Sequence, residues 1–376
     1  MAISPTSAKS LQYQDPYGQQ ALTVANAAAS ATNNIGLKNR LINGAMIIDQ
    51  RNAGASGTAT GYTIDRWVFG ATSTTKGTWQ QNAGSVTPPV GFTNYLGFTS
   101  NSSYSVGSGD IFSFYQVIEG YNIADLGWGT TDAKTVTVSF WVQSSLTGTF
   151  GGSIENQGLT RSYPFTYTIN SANTWTKISI TIPGDQSGTW YKDNTQGLYL
   201  FFSFGVGTNY SGTAGAWASG DYRSATGATS VVGTSEATFY ITGVQLEAGT
   251  SATSFEYRQY TTELQLCQRY YTRFVNGTGQ RIGIGDRYAS TFIQCMTFLP
   301  TEMRIAPSLI SSTGSGYYTY YQAGTAHTFN SFGIDTGTTS KIAVMYNSGD
   351  TSGTAGQCGM YQSASASSSI AFNAEL

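Results

Sequence analysis

Three tryptophans of this 376-residue chain stand beside hydrogen-bonding side chains: Trp79 with Gln80 and Gln81, Trp190 with Tyr191 and Asp193, and Trp217 with Asp221, Tyr222 and Arg223. An indole can stack on the C–H face of a sugar ring while an amide, carboxylate or guanidinium takes the hydroxyls. Trp79, Gln81, Trp190, Trp217, Tyr222 and Arg223 are therefore the candidate glycan contacts, each in a stretch whose composition reads as loop. Core packing is the competing reading, because large aromatics are highly buried on average. Trp67, Trp141 and Trp175 fall in strand patterns and are assigned to the core.

Other reactive groups are sparse. The single histidine, His327, lies in GTAHTF with no nucleophile elbow near it, so a Ser-His-Asp triad is not expected. Asp110, Glu119, Asp125, Asp132 and Glu155 are the carboxylates that sugar cleavage could pair, at a separation of roughly 5–10 Å that sequence does not encode. No parallel β-helix period accompanies them, and the chain is expected not to be an enzyme. Glu119 and Asp125 are assigned to folding, and Asp65-Arg66-Trp67 suggests an internal ion pair beside a packed indole. Cys267, Cys295 and Cys358 are too scattered for a disulfide framework or a zinc site and read as buried, reduced thiols. Neither Asp193-Asn194 nor the Asp350 loop has the dense oxygen spacing of a calcium loop, so no metal or cofactor is expected.

Composition bounds the elements that must position these residues. Only 10% of residues are charged, 40% are hydrophobic and 14% aromatic, which excludes charge-driven disorder. Forty-five Gly and 25 Tyr with abundant Thr suit short strands joined by tight turns, and the chain reads as mainly β. A net charge of −2 without a basic run argues against nucleic acid as a partner. No apolar run approaches the roughly 20 residues of a membrane span, so membrane insertion is not expected. MAISPTSAKSLQYQDPYGQQ lacks a signal peptide's apolar core, which predicts synthesis without secretion.

Three regions follow. Residues 1–40 form a polar, Pro-bearing lead and a narrow small-residue helical stripe (Leu22, Ala25, Ala29, Thr32), too weak to stand alone and expected to dock or bundle with copies of itself. Residues 41–262 read strand, turn, strand: Thr135–Val142 alternates, Trp175–Ile182 repeats the pattern, and Leu198–Phe204 (LYLFFSF) is apolar on both faces and so central. Long connections at Gly70–Gly91 and Gly207–Gly233 carry Trp79 and Trp217 with their polar neighbours. Between Tyr240 and Tyr271 an alternating strand breaks at Gly249, and Leu264, Cys267 and Tyr271 then take helical spacing, marking a seam. Residues 263–376 resume short strands at Arg281–Gly285, Ser290–Phe298, Gly316–Tyr321, Lys341–Tyr346 and Ser369–Leu376. The fold class predicted is a jelly-roll β-sandwich followed by a smaller, thinly hydrophobic C-terminal β-sandwich whose core self-association would complete.

Several stretches carry a resemblance. LINGAMIIDQRNAG (41–54) and YTIDRW (62–67) look like opening strands, and QVIEGYNIADLGWGTTDAKTVTVSFWVQSSLTGTFGGS (116–153) and RSYPFTYTINSANTWTKISITIPGD (161–185) look like the centre. GTAGAWASGDY (212–222) and YITGVQLEAGTSATSFEYR (240–258) complete a match over about 41–271. These resemble the jelly-roll modules of bacteriophage tail-fibre and related virion appendage proteins, and FLPTEMRIAPSL (298–309) looks like a feature of their tips. The resemblance implies a carbohydrate-binding-type fold in a homotrimeric virion protein, assembled in the bacterial host cytoplasm. Its partners would be other tail or head proteins and host surface polysaccharide. Residues 1–40, with Tyr13, Tyr17, Leu22, Ala25 and Ala29, would then be the particle-docking and trimerisation segment. A capsid fibre with a purely structural role, or a polysaccharide-cleaving enzyme, are the alternatives, because a fold alone does not confer sugar binding.

Overall fold

The strand patterns resolve into two sandwiches in the computed structural model, which describes residues 38–376; Tyr13, Tyr17, Leu22, Ala25 and Ala29 lie outside the described residues. The first is a jelly roll of two antiparallel sheets. One is seven-stranded, in the order Gly61–Ile64, Trp67–Ala71, Ile111–Glu119, Gln196–Val206, Gly148–Asn156, Arg161–Ile169 and Ala218–Ser219. The other is five-stranded: Gly77–Gln81, Leu96–Ser100, Thr238–Ala248, Val136–Ser144 and Thr176–Ile182. Period-two alternation decides which side chains meet between them. Phe112 and Phe114, Val136, Val138, Phe140 and Val142, and Leu198, Leu200, Phe202 and Phe204 all enter one buried cluster. Its centre is aromatic, with Phe98 stacked on Phe204 at 4.4 Å and Phe140 edge-on to Phe202 at 4.9 Å.

Two expectations for this sandwich need correcting. Leu41–Gly54 contains no strand. Its backbone is satisfied by side chains instead of a ladder: Gln116 accepts from Ile42 N at 2.9 Å and donates to Ile42 O at 2.8 Å. Asn43 donates to Ile48 O at 2.8 Å and Asp65 O at 2.9 Å. These bonds remove the need for strand pairing that the apolar run had suggested. Trp79, expected on a loop, sits on the Gly77–Gln81 strand, with Gly57 pressed so closely on its indole that a Cβ there would lie 2.3 Å from Cζ2.

The C-terminal sandwich packs a seven-stranded antiparallel sheet on a three-stranded one. The larger runs Thr325–Phe329, Tyr318–Gln322, Cys358–Ser363, Arg281–Ala289, Phe292–Phe298, Ile342–Ser348 and Gly333–Ile334. The smaller comprises Tyr271–Asn276, Ser369–Asn373 and Ser308–Ser311. Ile282, Ile293, Cys295, Tyr318, Tyr320, Met345 and Tyr361 meet Val275, Ile370 and Phe372 between them. All three cysteines are free; Cys267 and Cys295 are buried, but Cys358 is exposed, because its place in the alternation points it to solvent.

The seam is a helix, Tyr260–Gln268, followed by the Tyr271–Asn276 strand. Cys267 and Tyr270 pack with Ile42 and Ile48. Around them lies a buried ionic network that clasps the end of the chain. Arg66 pairs with Glu375, Arg51 with the same carboxylate at 2.8 Å, and Arg269 with Glu119 at 2.5 Å. Tyr270 donates to Glu119 at 2.5 Å and lies under the Arg66 guanidinium at 3.6 Å. Arg304, from FLPTEMRIAPSL, donates to Ala374 O and Glu375 O at 2.8 and 2.6 Å. Asp65 and Arg66 thus do not pair with each other: they form the tight turn between the Gly61–Ile64 and Trp67–Ala71 strands, with Arg66 left-handed at φ 71°, and each finds a distant partner. From Arg40 to Leu376 the chain is one compact unit.

Candidate functional site

The best-equipped surface is the outer face of the jelly roll's seven-stranded sheet. Because Leu198, Leu200, Phe202 and Phe204 point into the core, Tyr199 and Phe201 project from the opposite side, as do Tyr115, Ser153 and Glu155 on neighbouring strands. Register sets them together: Phe201 lies across from Tyr115 and Ser153, and Tyr199 from Glu155. The rings form a continuous platform, Tyr199 stacked on Phe201 at 5.6 Å and Tyr115 at 5.0 Å from Phe201. Tyr115 and Tyr199 are half-buried, leaving ring surface accessible.

The connection after Gln196–Val206 folds back over this platform. Two short parallel strands, Ser211–Gly212 and Ser224–Ala225, fix it. Ser224 packs against Gly151, where a Cβ would approach its Oγ to 2.2 Å, so only glycine lets the loop seat on the sheet. Arg223 N donates to Tyr210 O at 2.8 Å, and the Arg223 guanidinium lies 5.3 Å from both the Phe201 and Tyr210 rings. Asp221 holds that guanidinium bidentately at 2.8 and 3.0 Å.

Below the pair lies Glu155. Its Oε1 accepts from Ser153 at 3.0 Å and its Oε2 has no hydrogen-bond partner among the described residues. Burial first, and the Asp221 carboxylate second, hold Glu155 well above the usual carboxylate range, against the pull of Arg223. Burial also raises the Tyr115 and Tyr199 phenols, which keeps both as hydroxyl donors. Ser113, Ser162 and Ser224 hydroxyls on this side are buried and likewise have no partner among the described residues. Ring faces, hydroxyls, a guanidinium and carboxylates on one sheet face can bind a polyol.

The residues expected at a glycan site are distributed unevenly. Arg223 and Tyr222 are at this face, Tyr222 with its ring laid across Gly212 and Gly220. Trp79 is buried and donates its indole N–H to Ala59 O at 2.9 Å, and Gln81 donates to Met46 O at 2.6 Å, so both serve the interior. Trp190 is buried too, bonded to Ser187 O at 3.1 Å. Trp217 is half-buried against Trp128 and Trp190 at 5.4 and 5.6 Å, with its N–H committed to Pro183 O at 2.8 Å. Trp79 and Trp190 are corrected from ligand platforms to packing groups, because their rings are buried and their N–H groups already used, whereas Trp217 keeps part of its ring at the surface. Tyr115, Tyr199 and Phe201 were missed, although LYLFFSF carries their signal: apolar residues on both faces of a strand also describe an aromatic platform beneath a loop.

Among the described residues no group of three or more His, Cys, Asp or Glu side chains could hold a metal ion, and no helix is long and apolar enough to cross a membrane. No protein family model matches the chain, and no curated protein sequence matches it. Solved structures with some likeness include the enzymatically active domain of bacteriophage CBA120 tailspike protein 4, at 12% identity and TM-score 0.28 over 56% of this chain. The chain spans 21% of that tailspike domain. The family 11 carbohydrate-binding module of Clostridium thermocellum gives 12% identity and TM-score 0.27 over 52% of this chain and 95% of the module. The CBM22-1-CBM22-2 tandem domain of Paenibacillus barcinonensis Xyn10C gives 8% identity and TM-score 0.23 over 87% and 99%.

Proposed function

We propose that this chain is a non-enzymatic bacteriophage appendage protein, a homotrimeric tail fibre, that adheres to host-surface glycan through its β domains, foremost through the outer face of the jelly roll. The observation that carries the reading is the half-exposed pair of rings Tyr115 and Tyr199, which flank the covered Phe201 beside the Asp221-clamped Arg223. Rings stack on the C–H faces of pyranoses, and a fixed guanidinium with flanking carboxylates takes their hydroxyls. The likeness of 41–271 to tail-fibre modules supports the virion part of the reading.

Self-association is supported by an apolar row on the C-terminal sandwich. Tyr321, Met360, Ile284 and Met296 are consecutive cross-strand neighbours on its outer face, with Ile284 71% and Met296 56% exposed. Monomeric proteins rarely leave such a contiguous row to water.

A glycan array with the full chain tests the recognition reading. Binding to a host polysaccharide that Arg223→Ala weakens supports it; absence of binding to any host polysaccharide sinks it. An assay for new reducing ends tests the non-enzymatic part, which their appearance overturns. Density at the tail rather than the head in particle micrographs supports the fibre assignment.

A further inference from the structure

The C-terminal sandwich carries a pocket of its own, remote in fold from the platform above. It encloses about 390 Å³ at the turn end of the Arg281–Ala289/Phe292–Phe298 hairpin and is lined by Tyr288, Ala289, Phe292, Gln294 and Asp335. That volume lies within the range of small-ligand sites, roughly 300–1,000 Å³. We propose that this pocket is a second saccharide site, binding one neutral pyranose ring by stacking on Tyr288 and Phe292 and by hydrogen bonds to Gln294 and Asp335.

The aromatic wall is built rather than incidental. A bulge between Arg287 and Ala289 breaks the hairpin register and re-aims Tyr288 outward, where it is 73% exposed. Its ring meets Phe292 edge-on at 6.0 Å, and Phe292 is backed by Tyr346, stacked at 5.3 Å and 13°. Tyr346 is seated on Gly333, where a Cβ would come within 2.7 Å of the ring. Phe292, half-buried between Tyr288 and Tyr346, presents a firm apolar face at little further entropic cost.

The polar wall is open to a ligand. The Gln294 backbone is pinned, its carbonyl accepting from Tyr361 Oη at 2.9 Å, whereas its side-chain amide has no hydrogen-bond partner among the described residues. Asp335 N donates to Val344 O at 2.8 Å, and Asp335 Oδ1 accepts from Gly337 N at 2.8 Å, which leaves Oδ2 for the pocket. An amide and a carboxylate beside ring faces are the groups that read sugar hydroxyls. Among the described residues no lysine or arginine lines the pocket. Arg287, the nearest cation in sequence, turns inward to Gln322 Oε1 at 2.9 Å. The charge present is therefore acidic, from Asp335, and opposes an anionic sugar.

The proposal does not depend on the jelly-roll site, and the test separates them. Full-length chain carrying Arg223→Ala is titrated by saturation-transfer NMR with methyl β-D-glucopyranoside, methyl β-D-galactopyranoside and D-glucuronate. At least one neutral glycoside is expected to saturate with a dissociation constant of about 1–10 mM. Glucuronate is expected to bind at least about tenfold more weakly, and Tyr288→Ala or Gln294→Ala to weaken the neutral ligand by about tenfold. Both substitutions lie on an outer sheet face, and unchanged circular dichroism checks their fold. No saturation by either neutral glycoside, equal binding of glucuronate, or unchanged affinity in both variants overturns the assignment. Loss of polysaccharide binding confined to Arg223→Ala in otherwise native chain reports on the jelly roll alone.

Discussion

Each sandwich presents the outer face of a seven-stranded antiparallel sheet, and the two faces are finished differently. In the jelly roll, the connection after Val206 is long enough to return across the sheet, so Phe201 is covered and only the flanks of Tyr115 and Tyr199 remain open. In the C-terminal sandwich, the strands on either side of the central pairing are joined by a short hairpin, and nothing within the described residues covers Ile284, Met296 or Phe298, the last 78% exposed. The same architecture thus yields a polar-edged aromatic platform where a loop returns, and a bare apolar row where it does not. Connection length, more than strand composition, decides what each face can meet.

The largest expected effect falls on the junction that makes the two sandwiches one unit. Arg66→Ala leaves Glu375 buried beside Arg51 and strips a cation from Tyr270, and is expected to cost about 3–5 kcal/mol. Denaturant unfolding followed by calorimetry measures it; two separated transitions in the variant are expected, and a single unshifted transition contradicts the coupling.

Next comes the pH dependence of the same junction. Burial, outweighing the Gln50 hydrogen bond and Arg51, pushes Asp65 from the ordinary 3.8 up to about 7. Since the folded value is the higher, this carboxyl's contribution is fully present below about pH 4 and is lost as pH rises to about 7. Asp65→Asn is expected to flatten the stability profile over that window and to gain roughly 4 kcal/mol at pH 8 relative to pH 4. Parallel profiles for the two chains would be the contrary result.

Arg223→Ala separates the faces by function. It is expected to weaken polysaccharide binding about tenfold, near 1.4 kcal/mol, by isothermal calorimetry, without altering saccharide saturation at the Tyr288 pocket. The smallest effect on stability belongs to the bare row. Ile284→Lys is expected to change unfolding by under about 0.5 kcal/mol while converting the assembly to monomer in sedimentation velocity. Unchanged mass there removes the row from the assembly.

Much of the fold was legible in period-two alternation. The Val136–Ser144, Thr176–Ile182 and Gln196–Val206 strands were located within one or two residues because one face of each carries Val, Ile, Leu or Phe. The helix at Tyr260–Gln268 showed in the spacing of Leu264 and Cys267. Leu41–Gly54 misled, because Gln116 and Asn43 satisfy its backbone from sites far along the chain or outside any ladder. Trp79 and Trp190 misled because an indole beside polar residues looks alike whether its N–H meets a ligand or the carbonyls of Ala59 and Ser187.

By itself the sequence determined that this is a low-charge, mainly β chain of two sandwiches joined near residue 260, since alternation, glycine turns and a change of period are local properties. Tertiary structure alone decided which aromatics face outward, which carboxylates meet which guanidinium groups, and that Tyr288, Phe292, Gln294 and Asp335 line one pocket. Those outcomes depend on strand register and on where a loop returns, and both are set by contacts between residues distant in the chain.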